Sequence, residues 1–438
     1  MSRHEVVSRE AVDRMVLTGH RVEVPLDWSH PDGQTISVFA REVVAAEKAG
    51  EALPLICWYQ GGPGCESAYP EARGGWLEQL LTRYRVLLLD QRGTGLSTPL
   101  DARSPARPDP AGLAEHLSHF RADAIVRDAD RFRALLLGDD ADWYLFGQSF
   151  GGFCSLTHLS FLPAHVSGVI ITGGFAPVLH DAESVYRALA DRVAERSAAY
   201  YERFPEDRSR VRRIIDHLER VEDVDPAGER LSARAFMTLG HWLGHAHGAA
   251  ELHGLIERAT GDVERLGVIG GWVHRRIGEV MLPATNPIYS LLQEACYAQG
   301  APTRWAASRV IAADPRYRLD AEPAPCFTGE MVFPWMFDEW AALRPLRETA
   351  ERIATALSWP PLYDVERLRA NRVPVVGTIY WNDPYVERGL ALETAGLVGN
   401  CEIWITNEHE HAAYRVTPQR VAERLFAMLD QRLAASRR

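Results

Sequence analysis

The stretch that decides the fold is Gly147-Gln148-Ser149-Phe150-Gly151-Gly152, which follows the run Asp142–Phe146 and precedes a helical pattern at Phe153–Phe161. A G-x-S-x-G turn between a strand and a helix places its serine on a strained corner, with glycines where side chains would clash. The N–H of Phe150 then points from the helix N-terminus toward a developing oxyanion. The alternative is a glycine-rich turn in which Ser149 only caps a helix. The strand–turn–helix context favours a nucleophile.

Short apolar runs also lie on both sides of this stretch, and each leads into a turn of glycine or polar residues. They are Leu53–Tyr59, Tyr84–Leu89, Val166–Thr172, Val373–Tyr380 and Glu402–Thr406. Runs that are apolar throughout are typical of strands buried on both faces of a parallel sheet. The sequence therefore predicts an α/β fold whose sites lie at the carboxyl ends of the strands.

Two regions have other patterns. Arg21–Leu26 and Thr35–Val44 alternate or are rich in β-branched residues on either side of a turn, which predicts an antiparallel hairpin. From about residue 178 to about residue 361 the long segments are helical in period: Ala182–Phe204, Arg208–Val224 and Leu231–Leu243. We therefore predict a core domain of residues 1–177 and 362–438 with a mostly parallel sheet, interrupted by a helical cap domain of residues 178–361.

The composition excludes several classes of protein. The chain has 438 residues, of which 46% are hydrophobic and 24% charged, as in a soluble globular protein. The net charge of −11 argues against nucleic-acid and anionic-membrane partners. No run approaches the ~18 apolar residues of a membrane span, and no signal peptide is visible. Six cysteines without a C-x-x-C pair predict separate thiols and a cytoplasmic enzyme.

A serine nucleophile needs a base, and the base needs an orienting carboxylate. In α/β-hydrolases these follow the serine in the order acid, then histidine, each at the end of a strand. Asp383 lies just after the run Val373–Tyr380 and fits the first of these positions. Asn382 carries no negative charge to stabilise an imidazolium, and Glu387 lies further from the strand. Asp383 is therefore the predicted acid.

Two histidines compete for the role of base. His409 and His411 both lie in the loop after Glu402–Thr406, and only one of them can face the serine. Their position alone leaves the choice open. A metal site is rejected here, because His409-Glu410-His411 lies in a loop and no third ligand is indicated.

Two further glycine-containing turns follow strands. Gln60-Gly61-Gly62-Pro63-Gly64 brings backbone without side-chain bulk close to the predicted site, which suits a second oxyanion donor. The turn Asp90–Ser97 lacks the third glycine of a dinucleotide fingerprint. We interpret Asp90 and Arg92 as scaffolding for the loops of the site, and we predict no cofactor.

These motifs together resemble the proline iminopeptidase (prolyl aminopeptidase) family of α/β-hydrolases. The resemblance runs from about Arg21 to the C-terminus. It rests on the G-x-S-x-G turn, on Thr328-Gly329-Glu330 in outline, and on three longer stretches: Gly61–Gly64, Leu89–Ser97 and Phe120–Asp128.

The resemblance implies a catalytic triad of Ser149, Asp383 and His411. Similar proteins have the sequence E-H-x-G-L-R in the histidine loop, and aligning it with Glu410–Arg415 selects His411. This chain has Ala413-Tyr414 where Gly-Leu is usual, and Gln60 where many relatives have histidine. These departures affect the expected substrate preference rather than hydrolysis.

The implied activity is that of a serine aminopeptidase that removes the N-terminal residue, preferably proline, from small peptides. The N–H groups of Phe150 and Gly62 would bind the oxyanion. Neither a metal nor a cofactor is implied. The alternatives are an esterase or amidase acting on a small neutral substrate, and a non-catalytic binding protein of the same fold. The sequence predicts nothing about the oligomeric state.

An aminopeptidase must also bind a free amino group, which is largely cationic near neutral pH. Carboxylates of the cap are the expected partners, because the strand ends of the core are occupied by the triad and the oxyanion loops. Glu294 and Glu330 each lie in an apolar stretch, where an unpaired charge is costly. We predict that both bind the amine. The alternative is that each pairs with a nearby arginine as part of the structure.

Overall fold

The computed structural model describes residues 4–100, 108–225, 228–280, 286–355 and 359–436. Within these residues one sheet of nine strands runs through the molecule. The strands are β1 (His4–Val12), β2 (Met15–Pro25), β3 (Thr35–Ala45), β4 (Leu55–Tyr59), β5 (Arg85–Leu89), β6 (Trp143–Gln148), β7 (Val166–Thr172), β8 (Val375–Tyr380) and β9 (Cys401–Thr406).

The strands lie in the order β1-β2-β3-β5-β4-β6-β7-β8-β9. The pairs from β1 to β3, and the pair β3–β5, are antiparallel, and all pairs from β5 through β4 to β9 are parallel. The predicted α/β fold with a mostly parallel sheet is confirmed. The parallel order places β6, β7, β8 and β9 side by side, so that their carboxyl ends meet at one edge.

The predicted N-terminal hairpin is present as β2 and β3, which pair from Met15 with Ala45 to Pro25 with Thr35. Strand β1 lies before the two runs that predict the hairpin. It pairs with β2 at the edge of the sheet, and most of its side chains are exposed. Because it has no buried face, its sequence carries no hydrophobic alternation.

Helices cover the sheet and also make up the elements between residues 178 and 361, which are called the insertion below. Those outside residues 178–361 are Gly75–Leu81, Pro110–Ser118, Ala122–Leu137, Phe150–Phe161, Val365–Arg369, Arg388–Leu397, Ala413–Val416 and Pro418–Ser436. Those inside that range are Ala182–Arg203, Asp207–Arg220, Ala233–Met237, Gly248–Leu266, Gly271–Val280, Pro287–Leu292, Ala306–Ala313, Met336–Glu339 and Arg347–Thr355. Short 3₁₀ helices lie at Ala46–Lys48, Pro163–His165, Thr238–Gly244, Glu294–Tyr297, Pro315–Tyr317 and Arg344–Leu346.

The division into core and cap stays a prediction, but its ranges can be compared with the elements. Every strand named above lies outside residues 178–361. The predicted helix Leu231–Leu243 is instead a short helix, Ala233–Met237, that continues as the 3₁₀ helix Thr238–Gly244. The predicted helix Arg208–Val224 ends earlier, at Arg220.

Alternate residues of the buried strands pack into two hydrophobic clusters on opposite faces of the sheet. On β4, Ile56 and Trp58 belong to the cluster that includes residues of the helices Gly75–Leu81 and Pro418–Ser436. Cys57 and Tyr59 belong to the larger cluster, which continues into the helices between residues 178 and 361. The helical insertion therefore shares one continuous hydrophobic core with the sheet.

The helices and the cysteines each provide one further observation. Among the described residues, no helix combines the length and the apolar character that crossing a bilayer would require. The six cysteines are all free thiols.

Candidate active site

Ser149 occupies the corner between β6 and the helix Phe150–Phe161. Its backbone has φ 55° and ψ −125°, in the left-handed region that a residue other than glycine rarely adopts. Its N–H donates to Thr172 O at 3.0 Å. A side-chain carbon on Gly151 would lie 1.9 Å from Tyr59 O, so only glycine fits there. The elbow thus holds the serine on a fixed, strained turn, as the motif predicts.

Asp383 and His411 meet at the ends of two neighbouring strands. The side chain of Asp383 follows β8 and lies 2.7 Å from His411 Nδ1 through Oδ2. Its other oxygen accepts from the N–H groups of Tyr385 at 2.8 Å and Val386 at 3.1 Å. Asp383 is 1% exposed and His411 8%. The carboxylate is therefore fixed by three donors, and it orients the imidazole through Nδ1.

The serine and the histidine converge on the glycine pair at the end of β7. A side-chain carbon on Gly173 would lie 3.2 Å from His411 Cε1, and one on Gly174 would lie 2.3 Å from Ser149 O. Gln148 Nε2 lies 3.3 Å from His411 Nε2. An amide N–H directed at Nε2 fits the tautomer that carries its proton on Nδ1, which is the form that a general base requires.

The structure distinguishes the two histidines of the loop after β9. His409 Nε2 lies 3.3 Å from Thr417 Oγ1, just before the final helix, while His411 contacts Asp383. Burial lowers the pKa of His411, but the charge of Asp383 and the hydrogen bond to it outweigh burial, so the net pKa is raised. His411 is therefore the histidine of this loop that Asp383 contacts.

The predicted oxyanion loop lies directly beside the elbow. A side-chain carbon on Gly61 would lie 3.2 Å from Ser149 Cβ, and Gly62 has φ 136°, where glycine is favoured. Phe150 is the first residue of its helix, whose N-terminus carries partial positive charge. Asn286, from the predicted cap, donates to Gly64 O at 2.5 Å and so fixes the far end of the loop.

The contacts of the turn after β5 favour the scaffolding interpretation. Asp90 accepts from the N–H groups of Ser67 at 3.1 Å and Leu96 at 2.9 Å. Arg92 forms a bidentate ion pair with Asp128, with both side chains almost fully buried. These contacts leave both charged groups occupied by the protein itself, so they hold the loop in place.

Glu330 lies close to the predicted triad. Its Oε1 accepts from the hydroxyl of Tyr289 at 2.8 Å, and within the described residues Oε2 has no hydrogen-bond partner. Burial raises the pKa of Glu330 to about 7, while His411 and the Tyr289 hydroxyl act in the opposite direction and Asp383 adds to the rise. Its side chain still keeps some accessible surface. An enclosed carboxylate with one free oxygen therefore lies within electrostatic reach of Asp383 and His411.

Glu294 has a different environment. Its Oε1 accepts from Ala307 N at 2.8 Å and its Oε2 from Ala306 N at 3.1 Å. Both oxygens therefore cap the helix Ala306–Ala313, and burial raises the pKa of the carboxyl. That Glu294 binds the amine stays a prediction. Its contacts favour the alternative, a structural role, although backbone N–H groups of the helix make the hydrogen bonds that the alternative assigned to an arginine.

The departures from the family pattern lie away from the triad contacts. Gln60 accepts from Trp58 Nε1 through its side chain at 2.9 Å and from Gln91 Nε2 through its backbone at 2.9 Å. Tyr414 is buried against Trp58 and Trp76, with ring centroids 5.6 and 6.4 Å apart. Tyr414 thus packs in the same hydrophobic cluster as Trp58.

Sequence reasoning missed two polar contacts of this site. Gln148 lies inside the elbow motif, at the end of β6 and directly before Ser149. Its place in the motif could have predicted that it lies close to His411. Tyr289 is separated from Glu330 by 41 residues. No local pattern in the sequence indicates that the two meet.

One group of metal-type donors occurs among the described residues, and it lies in the helical insertion: Glu206, Asp207 and His253. Asp207 already accepts from Arg210 at 2.9 Å and contacts His253 Nδ1 at 2.9 Å. The protein therefore supplies the partners of this carboxylate.

The sheet order, the elbow and the Asp383–His411 pair define the class of the protein, an α/β-hydrolase. A model of the family described as "alpha/beta hydrolase fold" matches residues 54–215. The chain is 40% identical over 422 residues to a proline iminopeptidase of Aeromonas sobria, covering 93% of this chain and 95% of the relative. It is 35% identical over 421 residues to a proline iminopeptidase of Aspergillus aculeatus, covering 94% and 93%. The chain belongs to the proline iminopeptidase family of α/β-hydrolases.

Solved structures resemble the chain more distantly. A crystal structure of a proline iminopeptidase from Mycobacterium smegmatis aligns with 94% of this chain and 99% of its own, at 15% identity and a TM-score of 0.42.

Proposed function

We propose that the protein is a serine aminopeptidase that removes the N-terminal residue, preferably proline, from small peptides. The observation that carries this proposal is the enclosed carboxylate of Glu330, whose Oε1 accepts from the Tyr289 hydroxyl and whose charge interacts with those of Asp383 and His411. A hydrolase of neutral esters has no use for a largely enclosed carboxylate with a free oxygen at this position, because enclosing a charge is costly.

The proposed chemistry is acyl transfer through the serine. Ser149 Oγ attacks the carbonyl carbon of the N-terminal residue while His411 Nε2 takes up the hydroxyl proton. Asp383 stabilises the imidazolium through Nδ1. The N–H groups of Phe150 and Gly62 stabilise the oxyanion of the tetrahedral intermediate. His411 then protonates the leaving amine, and water hydrolyses the acyl-enzyme by the same steps.

Glu330 is the proposed ligand of the substrate's amino group. With Oε1 held by the Tyr289 hydroxyl, Oε2 is free to accept from an ammonium. A bound cation favours the ionised carboxylate and offsets the cost of burying it. We propose that Glu294, whose oxygens cap a helix, supports the cap instead of binding the amine.

The proposal is tested with a panel of chromogenic substrates. Prolyl and alanyl anilides, an acetyl-blocked prolyl anilide and a simple acyl ester separate the candidate activities. We expect rapid hydrolysis of the prolyl anilide, slower hydrolysis of the alanyl anilide and almost none of the blocked one. Preference for the ester or the blocked anilide would establish an esterase or amidase, and no turnover of any substrate would indicate a binding protein.

Replacing Glu330 by glutamine is expected to raise KM for the prolyl anilide about 10- to 100-fold, the effect of losing one charge-assisted hydrogen bond. KM for the acyl ester should stay unchanged. Since the pKa of Glu330 is about 7, the carboxylate becomes protonated below that pH. KM of the wild-type enzyme for the anilide should therefore rise as the pH falls through 7, and the variant should lack this dependence.

Glu294→Gln is the matched control, because it removes the charge of a second buried glutamate. We expect it to lower the melting temperature through the weakened helix cap while changing both KM values alike. Equal effects of Glu330→Gln on the anilide and the ester would show that Glu330 does not bind the amine.

A further inference from the structure

The loops that carry Asp383 and His411 are attached to the helical insertion. Two carbonyl groups of the 3₁₀ helix Thr238–Gly244 accept hydrogen bonds from these loops. The hydroxyl of Tyr385 donates to His241 O, and the N–H of His411 donates to Gly244 O at 3.2 Å. A side-chain carbon on Gly244 would lie 2.3 Å from Tyr385 Cζ, so the segment packs directly on this ring.

A second connection supports the same loop. Arg196, on the helix Ala182–Arg203, donates to Leu243 O at 3.1 Å and lies 3.6 Å from the carboxylate of Glu410. The residue before His411 is therefore also held by the insertion. Because the serine of an elbow is fixed by its own turn, the position of the imidazole depends on these loop contacts.

Tyr385 contacts the predicted acid through its backbone, and the predicted base and the insertion through its side chain. Its N–H donates to Asp383 Oδ1 at 2.8 Å, and its ring meets the His411 ring edge-on, at 4.9 Å and 89°. Its hydroxyl is bonded to His241 O. The side chain is 3% exposed, and its ring therefore forms a wall against which the imidazole rests.

We propose that Tyr385 is a positioning residue for the reaction, which holds the His411 imidazole in line with Ser149 by anchoring the loop after β8 to the segment Thr238–Gly244. The inference rests on the proposed function for the identity of the base. It adds that the insertion supports the catalytic machinery. Small misplacements of a catalytic group lower the rate far more than they lower binding.

Tyr385→Phe tests this proposal, because it keeps the ring and the backbone N–H and removes the donor to His241 O. We expect kcat to fall about five- to tenfold, the effect of one lost neutral hydrogen bond, with KM unchanged. The Nδ1 proton shared with Asp383 should exchange faster with solvent in low-field proton NMR. Tyr380→Phe is the matched control, since Tyr380 also meets the His411 ring edge-on, at 6.3 Å, and is buried. It should leave kcat and this NMR signal unchanged.

The rate of Ser149 labelling by a fluorophosphonate distinguishes a failure of this proposal from a failure of the proposed substrate. Labelling needs the nucleophile and the base but no amine, so it should slow about five- to tenfold in Tyr385→Phe even if the anilides prove to be the wrong substrates. Wild-type kcat, labelling rate and proton exchange in Tyr385→Phe would overturn the proposal. Equal losses in Tyr380→Phe would also overturn it, because they would show that any buried hydroxyl near His411 has the same effect.

Discussion

Replacing Ser149 by alanine is expected to lower kcat for the prolyl anilide by a factor of about 10⁶, because the variant has no nucleophile and retains only binding and oxyanion stabilisation. The fold should be preserved. The backbone bonds of Ser149, from its N–H to Thr172 O at 3.0 Å and from Gly152 N to its own carbonyl at 2.7 Å, do not involve the hydroxyl. Steady-state kinetics together with the melting temperature test both expectations.

Ser155→Ala provides a matched control for this variant. Ser155 lies on the helix that begins after the elbow, is fully buried, and donates its hydroxyl to Gly151 O at 2.9 Å. We expect about 1 kcal/mol of lost stability from the missing hydrogen bond and nearly unchanged kcat. If purified, folded Ser149→Ala kept more than a trace of activity, another residue would be the nucleophile.

The parts of the site that the sequence predicts are those fixed by local patterns. The run Val166–Thr172 coincides with β7, and the elbow follows β6 as its motif requires. Strands buried on both faces leave uninterrupted apolar runs, and their carboxyl ends in a parallel sheet converge on one edge. Asp383 and His411 come together for this reason, although they are 28 residues apart.

The parts that the sequence does not predict depend on contacts between distant segments. Glu294 and Glu330 occupy similar apolar stretches, yet one caps the helix Ala306–Ala313 and the other faces the predicted triad. The hydrophobic pattern of a segment indicates how deeply the segment is buried, but it does not indicate which polar group a buried side chain contacts. The resemblance to a family motif adds information only for Glu330.

The segment Leu231–Leu243 illustrates a second limit. Its apolar residues recur at helical spacing, but only Ala233–Met237 is α-helical. A side-chain carbon on Gly240 would lie 2.3 Å from Thr328 O, and Gly244 packs on the ring of Tyr385. Close backbone contacts of this kind, together with the low helix propensity of glycine, favour the tighter 3₁₀ helix here. Tertiary packing therefore overrides the local period at the point where the insertion meets the predicted site.

The pH dependence of the activity is expected to follow from the contact between Asp383 and His411. Burial is the largest single effect on the pKa of His411 and lowers it, but the charge of Asp383, the hydrogen bond to Asp383 and the charge of Glu330 together outweigh burial, so the net pKa is raised above its ordinary 6.5. Only the neutral imidazole accepts the proton of Ser149. The value of kcat/KM should therefore fall as the pH drops through the raised pKa of His411, and activity should be retained on the alkaline side of it.

Replacing His411 by alanine is expected to reduce kcat by a factor of about 10⁴ or more, while His409→Ala should change it less than about threefold. His411 contacts Asp383 at 2.7 Å, whereas His409 contacts Thr417 at 3.3 Å beside the final helix. Removing His411 also leaves the buried carboxylate of Asp383 without the hydrogen bond from Nδ1. Both variants are compared by kcat for the prolyl anilide at equal folded fraction. The reverse ranking would make His409 the base and would show that its loop rearranges when substrate binds.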